Sequence, residues 1–298
     1  MMASEPFVFK NDFIFDKEGV EIAITISELL SLLEKYHLKP DKKLGQNFLI
    51  DENIVRKIIN LAGIDQKEVL EIGSGPGTLT AFLSQKAKKV FAVEIDKKIL
   101  NVLKEVCQNL SNVEIINEDF LELDVKKLTI DQKLCVVGNL PYYVTSQILF
   151  RLFEERDYIE SFTIMVQKEV AQRLLAKPGS KDYGILTVAI NFYCKIEDYF
   201  HVSKNVFYPR PEVDSTVLKA SFKEDIPDID ERKFFRIVHA CFSTRRKTIL
   251  NSLSNSLEIE KAEVKNILNK ACLQENLRAE DLDLEHFIKL YNELENRI

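Results

Sequence analysis

The chain has 298 residues, 46% apolar and 30% charged, enough for one large domain or one domain with a smaller companion. Its formal net charge of −6 means that any nucleic-acid partner is met by a local basic face and not by the chain as a whole. Five scattered cysteines without a CxxC pair and four dispersed histidines exclude a disulfide framework and a zinc-site spacing; no metal is expected, and a reduced, cytoplasmic protein is the simplest reading.

Residues 1–25 carry acids among their apolar residues and have no long apolar core, so they read as a surface extension and not as a signal peptide. No segment reaches the roughly 20 apolar residues that a membrane-spanning helix needs, and no membrane partner is expected. Helical spacing covers 24–38, Pro40 and Gly45 mark a loop, and 53–64 is a second amphipathic helix. Strands and helices then alternate: strand 68–73, helix 79–87, strand 89–96, helix 97–110, strands 113–117 and 133–138, helix 145–155 and strand 161–167. Strands separated by helices of this length predict right-handed crossovers and a parallel sheet covered on both faces. A terminal strand is expected at 214–222, then a charged, proline-containing linker at 223–231. Only helical periodicity follows, at 233–242, 247–257, 262–273 and 284–294. The expected fold is α/β: a Rossmann-like sheet domain over 26–222 and a small all-helical domain over 223–298.

The segment "VLEIGSGPGTLT" joins the first sheet strand to a helix through Gly73, Gly75 and Gly77. Glycines there let the backbone turn tightly and approach a ligand beside a helix N-terminus. A dinucleotide fingerprint needs a glycine where this chain has Thr78, so the GxGxG spacing suits a nucleoside better than a pyrophosphate. Glu94 ends the next strand 21 residues after Gly73, where an acid can accept hydrogen bonds from ribose hydroxyls. Asp119 ends the third strand on the same carboxyl edge and is expected to contact the nucleoside base. Without a ligand the same residues are a glycine turn, a solvated strand-end acid and a helix cap.

The fourth strand reaches that edge in "GNLPYY", with Gly138 letting the chain turn. An exocyclic base amine is a poor nucleophile because its lone pair is delocalised into the ring. Neutral acceptors that hold its two hydrogens aim the nitrogen and favour its pyramidal form. The side-chain oxygen of Asn139 is one such acceptor, and the carbonyls around Leu140 and Pro141 are others, Pro141 having no N–H to compete. Tyr142 offers a ring on which a flipped-out base can stack. No strong base is needed, since the amine becomes acidic once alkylated, and catalysis is mostly positioning for in-line attack on a sulfonium methyl. Alternatively Asn139 caps the next helix and Tyr142 fills a turn. Tyr143 reads as packing.

Together "KKLGQNFLID", "EIGSGPGTLT", "NLPYYVTSQI", "MVQKEVAQRLLAKPGSKDYGILTV", "VFYPRPEVDS" and "STRRKTILNSL" resemble the rRNA adenine dimethyltransferase family, in its bacterial small-subunit branch, from about residue 26 to the end. The resemblance implies S-adenosylmethionine as methyl donor and dimethylation of two adjacent adenosines in the 3′-terminal hairpin loop of 16S rRNA. It implies an immature small ribosomal subunit as substrate, and the chain is expected to act as a monomer. It also implies that Asn47 and Leu49 close over the cofactor, Gly73 lines its turn, Glu94 holds its ribose and Asp119 its adenine. Asn139 would then face both cofactor and target amine, Tyr142 would stack on the target base, and Phe207 would stack on the opposite face. Gln147 stands where family members often have proline, a change that touches no proposed catalytic group.

No acid occurs between Glu231 and Glu258, whereas Arg232, Lys233, Arg236, Arg245, Arg246 and Lys247 do. In an acidic chain this uneven distribution suits a phosphate-contacting patch that takes in Arg236, and the resemblance favours RNA contact by Arg245, Arg246 and Lys247. A solvated helix face is the alternative. The segment 174–184, with two lysines and two glycines, is a possible substrate-gating loop. Three other functions compete: a large-subunit rRNA dimethyltransferase of the macrolide-resistance type, a non-catalytic ribosome-assembly factor, and a nicotinamide-dependent oxidoreductase.

Overall fold

Four short strands rich in valine, isoleucine and leucine define the first of two compact units in the computed structural model, which describes residues 26–41, 44–129, 132–244 and 246–298. The first unit takes the chain up to Tyr143 together with Lys204–Pro211; the second takes Val144–Ser203 and Glu212–Ile298. The expectations for residues 1–25 and for Arg245 lie outside the described residues. In chain order the first unit contains α1 (Ile26–Lys35), β1 (Phe48–Leu49), α2 (Glu52–Ala62), β2 (Glu68–Ile72), α3 (Thr78–Ser84), β3 (Lys89–Val93), α4 (Leu100–Cys107), β4 (Val113–Ile116) and β5 (Leu134–Asn139). The second contains α5 (Thr145–Glu154), β6 (Ile159–Gln167), α6 (Lys168–Leu174), α7 (Ile185–Tyr193) and β7 (Cys194–Val202). The chain then gives β8 (Phe207–Tyr208) to the first unit, and β9 (Ser215–Phe222), α8 (Glu231–Phe242), α9 (Ile249–Leu257), α10 (Lys261–Lys270) and α11 (Leu284–Leu294) to the second.

In the first unit the strands lie in the order β4-β3-β2-β5, and every pair is parallel. Burial on both faces explains the apolar runs of the central strands: β2 has no exposed residue, and β5 is buried from Leu134 to Gly138. The chain moves outward from β2 to β3 and β4, then returns to place β5 on the other side of β2. That reversal opens a crevice beyond the carboxyl ends of β2 and β5, the usual ligand position in open α/β sheets. Helix α2 buries Val55, Ile58, Ile59 and Ala62 on one face, starts where Asp51 accepts from the Ile54 N–H at 3.1 Å, and stops at Gly63. Helix α1 packs Leu29 and Leu33 against Phe48, Ile99 and Val102.

Strand β5 runs through Gly138 to Asn139, beyond the expected end, so Gly138 is not a turn residue. It pairs with Ile72, and a Cβ on Gly138 would lie 2.8 Å from the Ile72 carbonyl oxygen. Close backbone approach, not unusual φ, is what requires glycine at that position.

The expectation of a wholly parallel sheet fails in the second unit, where β9 runs antiparallel to both β6 and β7. No helix separates β7 from β9, so no parallel crossover is possible between them. Strand β7 was not expected. It is an edge strand with a bulge at Ile196/Asp198 and mostly exposed side chains, so it lacks a clean alternation. The segment 174–184 is fastened: the Gly179 N–H donates to the Glu280 carbonyl at 2.7 Å, and Tyr183 is buried beside Phe242. Segments 144–203 and 212–222 group with the helical tail, a division of the chain different from the composition shift at 222. Among the described residues no helix is long and apolar enough to cross a membrane.

Candidate active site

The glycine turn leaves β2 and is held by the acid at the end of β3. Gly75, at φ +55°, donates its N–H to Glu94 Oε2 at 2.7 Å. The other oxygen, Oε1, accepts the Asp96 N–H at 2.8 Å. Glu94 is buried, which pushes its carboxyl above the ordinary range, and the N–H groups of Asp96 and Gly75 pull it back. Each oxygen keeps a second lone pair, and Glu94 lines a cavity with Gly73, Gly75, Ile95 and Asn139. The Asn117 amide donates to the Glu94 carbonyl at 2.7 Å and so fixes the strand end from the β4 side.

Beneath the turn, Glu71 in β2 is fully enclosed and accepts from Thr80 Oγ1 at 2.6 Å. Burial pushes its carboxyl up to about 8, so it holds its proton at neutral pH.

Across the cavity stand Asn139, Leu140, Pro141 and Tyr142, with the loop Leu44–Phe48 beside them. Asn139 Nδ2 donates to the Asn47 carbonyl at 2.9 Å, and Asn47 Nδ2 donates to the Gly45 carbonyl at 3.0 Å. With its donor end committed, Asn139 keeps Oδ1 as an acceptor that has no partner among the described residues. A Cβ on Gly73 would sit 3.6 Å from the Asn139 carbonyl oxygen and 3.9 Å from Pro141 Cδ, so the glycine turn and the Asn-Leu-Pro-Tyr edge are in contact distance. Leu140 is buried, while Pro141 and Tyr142 are half-buried.

Thus Asn47, Gly73, Gly75, Glu94 and Asn139–Tyr142 gather around one cavity. Leu49 and Phe207 do not line it: both are buried, and they face each other across the antiparallel β1–β8 ladder. The exposed aromatic of that ladder is Tyr208. Asp119 is half-buried, and its Oδ1 accepts the Leu121 N–H at 3.0 Å within a turn; the next helical element begins only at Val125, so Asp119 caps no helix. In the second unit Arg236, Arg246 and Lys247 are exposed and have no acid partner among the described residues. Arg232 shares the exposed face of α8 with Arg236, but Lys233 is drawn inward to the Glu295 carbonyl at 2.6 Å.

Sequence reasoning missed Gln46, Ile95 and Tyr143. Gln46 accepts the Asp41 N–H at 2.7 Å and donates to Asp96 Oδ2 at 2.8 Å, tying the entry loop to the end of β3. Ile95 is the sequence clue with most to offer, an apolar residue set between the two acids Glu94 and Asp96 at a strand end.

A parallel sheet reversed at β2, a glycine turn clamped by a strand-end acid, and an Asn-Leu-Pro-Tyr edge on the same cavity define a Rossmann-like methyltransferase. The chain belongs to the ribosomal RNA adenine dimethylase family, whose model matches residues 37–296. A ribosomal RNA small subunit methyltransferase A of Alkaliphilus metalliredigens is 42% identical over 282 residues, covering 92% of this chain and 98% of that one. A protein of the same name from Bacillus cytotoxicus is 43% identical over 274 residues, covering 88% and 94%. Among solved structures, a dimethyladenosine transferase from Plasmodium falciparum matches with a TM-score of 0.70 and 28% identity, covering 84% of this chain and 98% of that chain. The 23S rRNA methyltransferase ErmE matches with a TM-score of 0.64 and 26% identity, covering 84% and 100%.

Proposed function

We propose that the chain transfers methyl groups from S-adenosylmethionine to the N6 amines of two adjacent adenosines in the 3′-terminal hairpin loop of 16S rRNA. Its substrate is an assembling small ribosomal subunit in the cytoplasm, which it meets as a monomer. The observation that carries this reading is the single cavity shared by the Gly73–Gly75 turn, Glu94 and Asn139. Its residues suit a nucleoside cofactor: a buried acid with spare lone pairs, a backbone turn without side chains, and apolar surface from Ile95 and Phe48. Choice of the small subunit rests on relatives above 40% identity that carry that name along nearly their whole length.

S-adenosylmethionine supplies an electrophilic sulfonium methyl when bound. Glu94 accepts from the ribose hydroxyls while its backbone bonds keep it aimed. Gly73 and Gly75 give the cofactor room at the turn, Asn47 closes the cavity from the entry loop, and Asp119 reaches the adenine. Asn139 Oδ1 and the carbonyls beside Pro141 accept from the target amine and hold its nitrogen for in-line attack. Tyr142 supports the target base by stacking. Leu49 backs the entry loop from β1. Phe207 joins as a second stacking ring when its face is uncovered, so Tyr142 is the first platform. Arg236, Arg245, Arg246 and Lys247 contact rRNA phosphates from the helical segment 223–298.

The test uses small and large subunits from a strain lacking this chain, incubated with the protein and methyl-labelled S-adenosylmethionine, then digested for nucleoside mass spectrometry. Labelled dimethyladenosine in 16S rRNA is expected. Label confined to the large subunit, or none on either, overturns the reading.

A further inference from the structure

Tyr143 has the most open side chain among the large apolar residues described, 56% exposed, yet it lines the same cavity as Asn139 and Glu94. Its position is not that of a loosely hung surface ring. A Cβ on Gly45 would meet Tyr143 Cδ1 at 3.5 Å and Cε1 at 3.9 Å, so one edge of the ring lies against the entry loop. The hydroxyl has no hydrogen-bond partner among the described residues, so packing and not a polar tether sets the ring.

Across the cavity Ile95 is 47% exposed. Ile95 follows β3 and Tyr143 follows β5, the two strands that flank β2, so the pair stands on either side of the strand that carries the glycine turn. Two apolar side chains left open on one cavity lose nothing by being covered and gain when a flat, apolar-faced ligand enters. Burial and then the charges of Asp119 and Glu94 raise the Tyr143 hydroxyl above the ordinary phenol range.

We propose that Tyr143 is a cofactor-binding aromatic, distinct from the target-stacking Tyr142, and that its ring and Ile95 are the two apolar walls that hold the cofactor's nucleoside. This rests on the reading of the cavity as an S-adenosylmethionine site. The two adjacent tyrosines then divide the labour: Tyr142 receives the base to be methylated, and Tyr143 receives the nucleoside of the donor.

Calorimetric titration of the full chain without RNA, with S-adenosylmethionine and separately with adenosine, tests the assignment. Tyr143→Ala should weaken both ligands by the same factor, about tenfold, the worth of one base–aromatic stack. Tyr143→Phe should bind both within about twofold of the unchanged protein, since the ring and not the hydroxyl makes the contact. Tyr142→Ala should leave both affinities unchanged while methyl transfer to small subunits falls. The thermal midpoint without ligand should stay unchanged in Tyr143→Ala, which a merely structural role for this open ring would not allow. Unchanged affinity in Tyr143→Ala, or a loss for S-adenosylmethionine but not for adenosine, overturns the inference and leaves the proposed function standing. Failure of the unchanged protein to bind S-adenosylmethionine overturns both.

Discussion

Replacing Gly138 by alanine tests whether the spacing of β2 and β5 sets the site. The added methyl would fall 2.8 Å from the Ile72 carbonyl oxygen, 3.2 Å from Leu140 Cδ2 and 3.4 Å from Ile72 Cβ. The nearest of these is backbone in a paired strand, so no side-chain rotation can relieve it, and the two strands must part by several tenths of an ångström. Overpacking of this kind costs about 1–3 kcal/mol, offset by about 0.4–1 kcal/mol from the lower chain entropy of unfolded alanine. The net loss is therefore about 1–2 kcal/mol, read as a lower urea midpoint with an unchanged m-value. Parting the strands at Ile72 and Gly138 also displaces Gly73 and Asn139, one residue further along each. Affinity for S-adenosylmethionine and the rate of methyl transfer should fall together, beyond what the lost stability removes from the folded population. A variant with the same midpoint, affinity and rate as the parent would refute the reasoning that β2–β5 contact fixes the site.

Asn139→Ala should leave the fold intact and lower the rate of methyl transfer to small subunits about a hundredfold or more, the scale of one lost positioned hydrogen-bonding group. Glu71, buried with its carboxyl at about 8 against an ordinary 4.5, keeps a proton in the native state that the unfolded chain releases. Its contribution to stability is therefore full below about pH 4.5 and is lost as pH rises to about 8, at no more than about 1.4 kcal/mol per pH unit. Glu71→Gln should flatten the fall in urea-unfolding free energy between pH 5 and pH 8, and a slope unchanged by the substitution would contradict the burial argument. Arg246→Ala with Lys247→Ala should weaken binding to small subunits and reduce the slope of log affinity against log salt by about 0.7–0.9 per lost phosphate contact, with cofactor affinity unchanged.

The first unit was legible because its signals are local and redundant. Strands β2, β3 and β5 are buried on both faces and so read as apolar runs, and glycines, Glu94 and Asn139 fall at strand ends where ligands bind. The antiparallel half was not legible for an equally physical reason. Strand β7 pairs on one side only and exposes Lys195, Glu197, Asp198, Tyr199 and His201, so neither burial nor alternation marks it. At the site, motif residues show which types gather but not which atom is engaged. Gln46 gave no sign in sequence of the bridge it makes from Asp41 to Asp96, because that contact depends on two segments about 50 residues apart meeting at one turn. Tyr143, beside a more suggestive tyrosine, reads as packing until its exposure and its neighbours are known.

The hydrogen bonds around Asn139 explain why an amide, and not a carboxylate, suits the end of β5. Its Nδ2 donates to the Asn47 carbonyl, and a carboxylate at that place would set two acceptors against each other. The same bond determines which end of the side chain remains: with the donor engaged, only Oδ1 is left to accept from an amine. A carboxylate would also add charge to a cavity that already holds Glu94. It would favour the positive product of each transfer over the neutral amine that has to be aimed, and so slow release of the alkylated nitrogen. Asn47 thus acts through its backbone carbonyl, held in place as its own amide reaches Gly45, and Gly45 in turn lies against Tyr143. The entry loop is in this way joined to the Asn-Leu-Pro-Tyr edge at two points, one polar at Asn139 and one apolar at Tyr143. A shift of the loop on cofactor binding would therefore move the acceptor that aims the target nitrogen, which couples filling of the donor site to readiness of the amine site through a single hydrogen bond.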